Sequence, residues 1–155
     1  MTGIDGSAIG AAARQARAAA FDAWLAALLP ANLPGVALVA VGGLGRGELA
    51  PHSDLDLLLL HSAAPTLVPT SWTLHNGKRS PVPEGMDVAA IASAIWYPIW
   101  DAGLGLDHCV RTVPEALSVA YADVKVALGL LDARHLAGDA ALTAQLATSV
   151  AEQWR

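Results

Sequence analysis

Asp54 and Asp56 stand two residues apart at the head of an apolar run, in the stretch VGGLGRGELAPHSDLDLLLL that spans residues 41–60. In an extended strand, side chains two apart leave the same face. Both carboxylates therefore project together, while Leu55, Leu57 and Leu59 face the other way into a core. Carboxylates held that close repel unless a cation or a proton lies between them. A hard divalent ion, Mg²⁺ or Mn²⁺ in its place, suits an all-oxygen pair and leaves positions for substrate phosphates. Upstream, Gly42 and Gly43 let backbone N–H groups approach an anion closely, at a turn entering a helix whose dipole favours negative charge. Metal on one surface and phosphate on the other describe a nucleoside triphosphate with its cation. Taken singly, an Asp-x-Asp is commonly a solvated strand end and a Gly-Gly commonly a turn. The specific signal is the combination: an apolar residue, Gly42-Gly43, ten residues, Asp54-Leu55-Asp56 and an apolar run. No Gly-Lys-Ser/Thr follows the glycines, so this is not a P-loop.

The elements that must position these groups can be read outward from them. GVALVAV (35–41) and DLDLLLL (54–60) are short and apolar on both faces, as buried central strands are. GGLGRGEL between them suits a tight turn into a short helix. Upstream, Ser7 can cap a helix running to about Leu29, with Phe21, Trp24, Leu25 and Leu28 on one stripe and Pro30 closing it. Residues 61–87 carry Pro65, Pro69, Pro81 and Pro83 with Lys78 and Arg79, and read as a structureless insertion. Helical spacing returns at MDVAAIASAIWYPIW, where Ile91, Ile95, Trp96 and Trp100 can share a side and Pro98 should kink or end the helix. GLGLDHCVR (103–111) reads as a third strand. Thr112 and Glu115 then have capping-box spacing before one long helix, in which Leu117, Tyr121, Val124, Leu128 and Leu131 form the stripe and Gly138 the stop. Asp139 can cap a final helix through Trp154. The expectation is an α+β (α/β) fold: a small mixed sheet of about three or more strands, flanked by helices, with helices at both ends of the chain. By region, this gives an N-terminal helix over 1–30, a core over 31–138 and a C-terminal helix over 139–155 that opens a further helical segment.

Bulk properties narrow the classes. The 155 residues suffice for one compact domain, and 54% apolar with 15% charged residues fits a well-buried globule. A net charge of −5 gives no electrostatic reason to bind DNA or RNA. Cys109 is the single cysteine, which excludes an internal disulfide and a thiolate-rich zinc site. No apolar run approaches a membrane span, and the N-terminal segment lacks a compact signal-like core. The expectation is a cytoplasmic protein that binds neither nucleic acid nor membrane.

The glycine turn and paired aspartates resemble the signature of the DNA polymerase β-like nucleotidyltransferase superfamily. GGLGRGELAPHSDLDLLLL, with IWYPIWDAGLGLDHCVRT and ADVKVALGLLDARHLAGD, resembles more narrowly the nucleotidyltransferase domain of bifunctional PII uridylyltransferase/uridylyl-removing enzymes, over most of residues 36–140. The resemblance implies transfer of UMP, or AMP, from UTP or ATP to a tyrosine of the PII nitrogen-signalling protein. It implies Asp54 and Asp56 as metal ligands, Gly42 and Gly43 as the triphosphate turn, and Asp107 on the third strand as a third carboxylate. That carboxylate would also help deprotonate the nucleophile. Ser53 would donate to phosphate or cap the strand start; Arg46 would meet phosphate or brace the turn through Glu48. Asp123, Lys125 and Arg134 match the family-like helical block, and an exposed helix face explains them equally. Such enzymes also carry a nucleotide-removing hydrolase domain and glutamine-sensing domains, for which 155 residues have no room. The expectation is therefore an isolated catalytic module without removal activity or glutamine control. Two alternatives stay open: a non-catalytic nucleotide-sensing module with the same fold, and a nucleotidyltransferase acting on glutamine synthetase.

Overall fold

In the computed structural model the described residues are 10–62, 72–73, 79–80 and 87–154. Ser7 and most of the proline-rich segment lie outside them. The first helix, α1 (Ala11–Ala26), buries Phe21 and Leu25, while Trp24 and Leu28 pack at the edge of the same core. It ends at Ala27, short of Leu29, and Arg17 on its buried face donates to the Leu49 carbonyl at 2.9 Å.

Strands β1 (Val36–Ala40) and β2 (Leu55–His61) pair antiparallel, and every residue of β1 is buried. The sheet extends on one side to β5 (Leu106–Arg111), parallel to β2, and on the other to β6 (Arg134–Gly138), antiparallel to β1. Between β2 and β5 come β3 (Trp72–Thr73) and β4 (Arg79–Ser80), a two-residue antiparallel pair in the segment read as structureless, and α3 (Val88–Asp101). A parallel β2–β5 pair needs a long crossover, and α3 supplies it. α3 runs through Pro98 instead of stopping there. A proline inside a helix costs roughly 3 kcal/mol, and the burial of Ile95, Trp96 and Ile99 on the sheet outweighs it. Trp100, expected on that buried side, is 44% exposed.

The long helix expected after Thr112 is three elements: α4 (Val113–Ala122), α5 (Val124–Leu131) and β6. The Thr112–Glu115 capping box is formed, with the Thr112 N–H and hydroxyl both on Glu115, and these donors hold its carboxyl below the usual range. Asp123 then breaks the helix. Its backbone is extended, and its carboxylate accepts from the Lys125 N–H, so one residue ends α4 and caps α5. The break rotates the apolar stripe: Val113, Ala116, Ala120, Ala127 and Leu130 are the buried residues, whereas Tyr121, Val124, Leu128 and Leu131 are exposed. Gly138, read as a helix stop, instead ends β6 at φ +87, where a Cβ would collide with the Val36 carbonyl. Asp139 caps α6 (Ala140–Gln153) by accepting from the Ala141 N–H, and its other oxygen accepts from the Gly35 N–H at 2.9 Å.

Two apolar layers result, one on each face of the sheet. Leu38, Leu57 and Leu59 face α1 and α3; Ala37, Val39, Leu58 and Leu60 face α4, α5 and α6. The α+β class with a small mixed sheet flanked by helices is the one expected.

Candidate active site

β1 leads into the glycine turn, α2 (Gly42–Gly45). The turn folds tightly: Gly45 N–H donates to Val41 O at 2.9 Å and Arg46 N–H to Gly42 O at 3.1 Å. Gly42 sits at φ +56, and a Cβ there would lie 2.6 Å from Asp56 Oδ2. Glycine is thus required twice over, by backbone conformation and by the carboxylate seated against it. The Gly43 N–H lies near enough to that carboxylate to favour its charged form. The amide-lined bend and the acidic strand therefore meet directly.

Asp56 is register-paired with Asp107 across the parallel β2–β5 ladder, so the two carboxylates share a face. Asp54, exposed just before β2, lays its carboxylate over Gly105, where any side chain would collide with it. Burial first, then the charges of Asp107 and Asp54, push the Asp56 carboxyl above its ordinary value, against the opposing Gly43 N–H and the Arg46 charge. Three acids act on one position, which is the electrostatic condition a bound cation relieves. The donor chemistry is all hard oxygen. No three His, Cys, Asp or Glu side chains among the described residues are gathered tightly enough to enclose a metal unaided. The group therefore fits an ion that keeps water and takes one or two carboxylates together with substrate phosphates, as Mg²⁺ does, and not a protein-only cage.

A cleft of about 420 Å³ opens beside these acids, with Gly42, Asp56 and Asp107 along it. Of the other residues singled out in the sequence, Gly43, Ser53, Asp54 and Arg46 lie outside its lining. Ser53 is exposed in the turn before β2. Arg46 directs its guanidinium to Asp132 at 2.7 Å and to Glu48 at 3.8 Å, so its charge braces the turn. Such exposed pairs contribute about 0–1 kcal/mol.

Arg134 is the residue that sequence reasoning misjudged most. Read as a helix-surface position, it lies on β6 and reaches the far side of the glycine turn. Its Nε donates to Gly45 O at 3.0 Å, a carbonyl at the open end of the short helix, and a terminal nitrogen to Leu44 O at 2.8 Å, which also accepts from the Gly47 N–H. The guanidinium also pairs bidentately with Asp22 of α1, at 2.8 and 2.9 Å. Gly45 fits beneath this clamp because a Cβ would collide with the Asp132 carbonyl. Replacing Arg134 by alanine leaves Asp22 and the Gly45 carbonyl short of donors, costing on the order of 1–3 kcal/mol by the usual penalty for unsatisfied partners. Lysine, with a point charge and no planar fork, should not rescue it. Thermal unfolding of Arg134→Ala and Arg134→Lys checks this; wild-type stability in either variant would remove Arg134 from the support of the turn.

A small mixed sheet that brings strand-borne acids against a glycine bend is the α+β arrangement the motif resemblance pointed to. Comparison with known proteins makes it specific. The chain is 48% identical, over 97% of its length, to the bifunctional uridylyltransferase/uridylyl-removing enzyme of Streptomyces coelicolor, and 46% identical over 81% to that of Mycobacterium tuberculosis. It is thus a homologue of one portion of those enzymes, as the residues of 36–140 led us to expect. The chain spans 16% and 13% of their respective lengths. No protein-family model matches the chain. Among solved structures, a toxin–antitoxin structure with AMP-PNP is similar at a TM-score of 0.45 and 14% identity over 86% of each chain.

Proposed function

We propose that this domain transfers a nucleoside monophosphate from UTP or ATP to a tyrosine hydroxyl of a PII signalling protein, releasing pyrophosphate. The observation that carries the reading is the in-register pair Asp56–Asp107, beside Asp54 and seated against the Gly42–Gly43 bend. Homology to enzymes named uridylyltransferases supports the reaction class and favours UTP.

In the proposed reaction the acceptor oxygen forms a bond to the α-phosphorus, the bond from that phosphorus to the bridging oxygen of the β-phosphate breaks, and pyrophosphate departs. Asp56 and Asp107, with Asp54 beside them and phosphate and water completing the shell, would hold Mg²⁺, which would supply charge compensation for the attacking and leaving oxygens. The chain's own work is then positional. The glycine turn lets the polyphosphate come near without a side chain in the way. Asp107, exposed on β5, takes the hydroxyl proton of the acceptor. Arg134 and Arg46 keep the turn fixed relative to these acids.

The test is transfer of α-labelled UTP and ATP, with Mg²⁺, to a panel of acceptors that includes PII and glutamine synthetase, with Asp54→Asn in parallel. Label on PII that disappears in the variant is the expected result. Label on glutamine synthetase alone would reassign the acceptor. Triphosphate binding with no pyrophosphate released in the presence of any acceptor would replace the enzyme by a sensing module.

A further inference from the structure

The cleft is lined by charge of both signs, with Lys125 of α5 and Arg111 of β5 in addition to the two acids. The β2–β5 register puts Asp56 and Asp107 at one end and Arg111, opposite Leu60, at the other. Between the ends lies a space of about 420 Å³ whose floor is the buried Leu58, Ala116 and Leu130, with the half-buried Cys109 of β5 and Val126 of α5 as its apolar walls. That volume falls in the range of roughly 300–1,000 Å³ usual for small-molecule sites. Gly129 completes the lining from the middle of α5. A glycine inside a helix costs about 1 kcal/mol relative to alanine, so some feature of the fold should call for it. It is not among the glycines with a left-handed backbone, and a Cβ there would meet nothing within 4 Å. Neither conformation nor close packing asks for glycine at 129. What its missing side chain leaves is open space in the wall of the cleft.

We infer that the nucleoside of the bound triphosphate lies between the apolar walls of this space, in a seat that Gly129 keeps open. The inference rests on the nucleotidyltransferase reading above and adds to it the place of the base. With the phosphates drawn to the acidic end and its cation, the flat apolar part of the ligand extends along Cys109 of β5, with Val126 and Gly129 of α5 as the opposite wall.

Calorimetric titration of the wild type, Gly129→Ala and Gly129→Leu with UTP, ATP and inorganic tripolyphosphate, all with Mg²⁺, tests it. Leucine at 129 should weaken binding of both nucleotides roughly tenfold or more, in line with the worth of apolar groups in a closed pocket, and leave tripolyphosphate affinity unchanged. Alanine, adding only a methyl, should have a much smaller effect. Both variants should unfold at a higher temperature than wild type, since each removes a helical glycine; this separates a blocked seat from a damaged fold. Unchanged nucleotide affinity in Gly129→Leu would overturn the seat while leaving the enzyme reading intact. Equal weakening of nucleotide and tripolyphosphate would also overturn it, because the obstruction would then not be specific to the nucleoside. A wild type that binds neither nucleotide would sink the enzyme reading itself, and the seat with it.

Discussion

Asparagine in place of Asp56 should sharply reduce nucleotidyl transfer and, in the absence of divalent cation, make the domain harder to unfold at neutral pH. The two effects share one cause. Burial and the neighbouring charges of Asp107 and Asp54 raise the Asp56 carboxyl above its ordinary value. Between the unfolded and the raised folded value, the folded chain binds more protons than the unfolded one. Stability therefore falls as pH rises through that window, and at neutral pH the full penalty is present. Asparagine keeps the shape while removing the charge, so the melting temperature should rise by a few degrees. Transfer should fall by roughly 10²-fold or more, the scale seen when one electrostatic group serving a transition state is removed. Gains in stability that erase activity are the signature of a strained functional group. Melting curves at neutral and acid pH, set beside transfer assays, check both halves. A variant that is less stable than wild type at neutral pH would contradict the electrostatic account.

Chelation of divalent cations should stop transfer completely, and adding Mg²⁺ back should stabilise the fold in a pH-dependent way. At the proposed site proton and cation would compete for the Asp56 carboxylate, so the Mg²⁺-induced rise in melting temperature should be largest at neutral pH. It should fade as pH falls through the raised Asp56 value. Asp56→Asn should remove most of that pH dependence. Thermal melts with and without Mg²⁺ across a pH series measure this directly. A stabilisation by Mg²⁺ that is the same at acid and neutral pH would place the ion elsewhere on the protein.

The glycine turn, β1, β2 and β5 were legible in the sequence because each carries a local signal: β-branched or leucine runs, glycine punctuation and alternation of two acids. The Asp139 cap and the Thr112–Glu115 box were legible for the same reason. The stretch from Val113 to Gly138 was not. Its three- and four-residue spacing of Leu117, Tyr121, Val124, Leu128 and Leu131 supported a continuous helix. The deciding signal was Asp123, which caps from within the pattern and rotates everything after it. β6 was missed because RHLAG has little strand character of its own; its neighbours in the sheet impose it, since β1 would otherwise present an unpaired edge. With β6 went the role of Arg134, whose partners Asp22, Leu44 and Gly45 are distant in sequence. The acids of the candidate site were legible as residues. Their meeting depended on the β2–β5 register, which no local pattern records.

The parallel pairing of β2 with β5 also bears on how this domain is made. The carboxylates meet only after the chain has closed the long excursion through β3, β4 and α3, and closing a loop costs entropy before its contacts repay it. No contiguous fragment that stops short of β5 holds both Asp56 and Asp107. Ion affinity at this edge should thus emerge late during refolding, after the β1–β2 hairpin has formed, and its appearance would time the completion of the native topology.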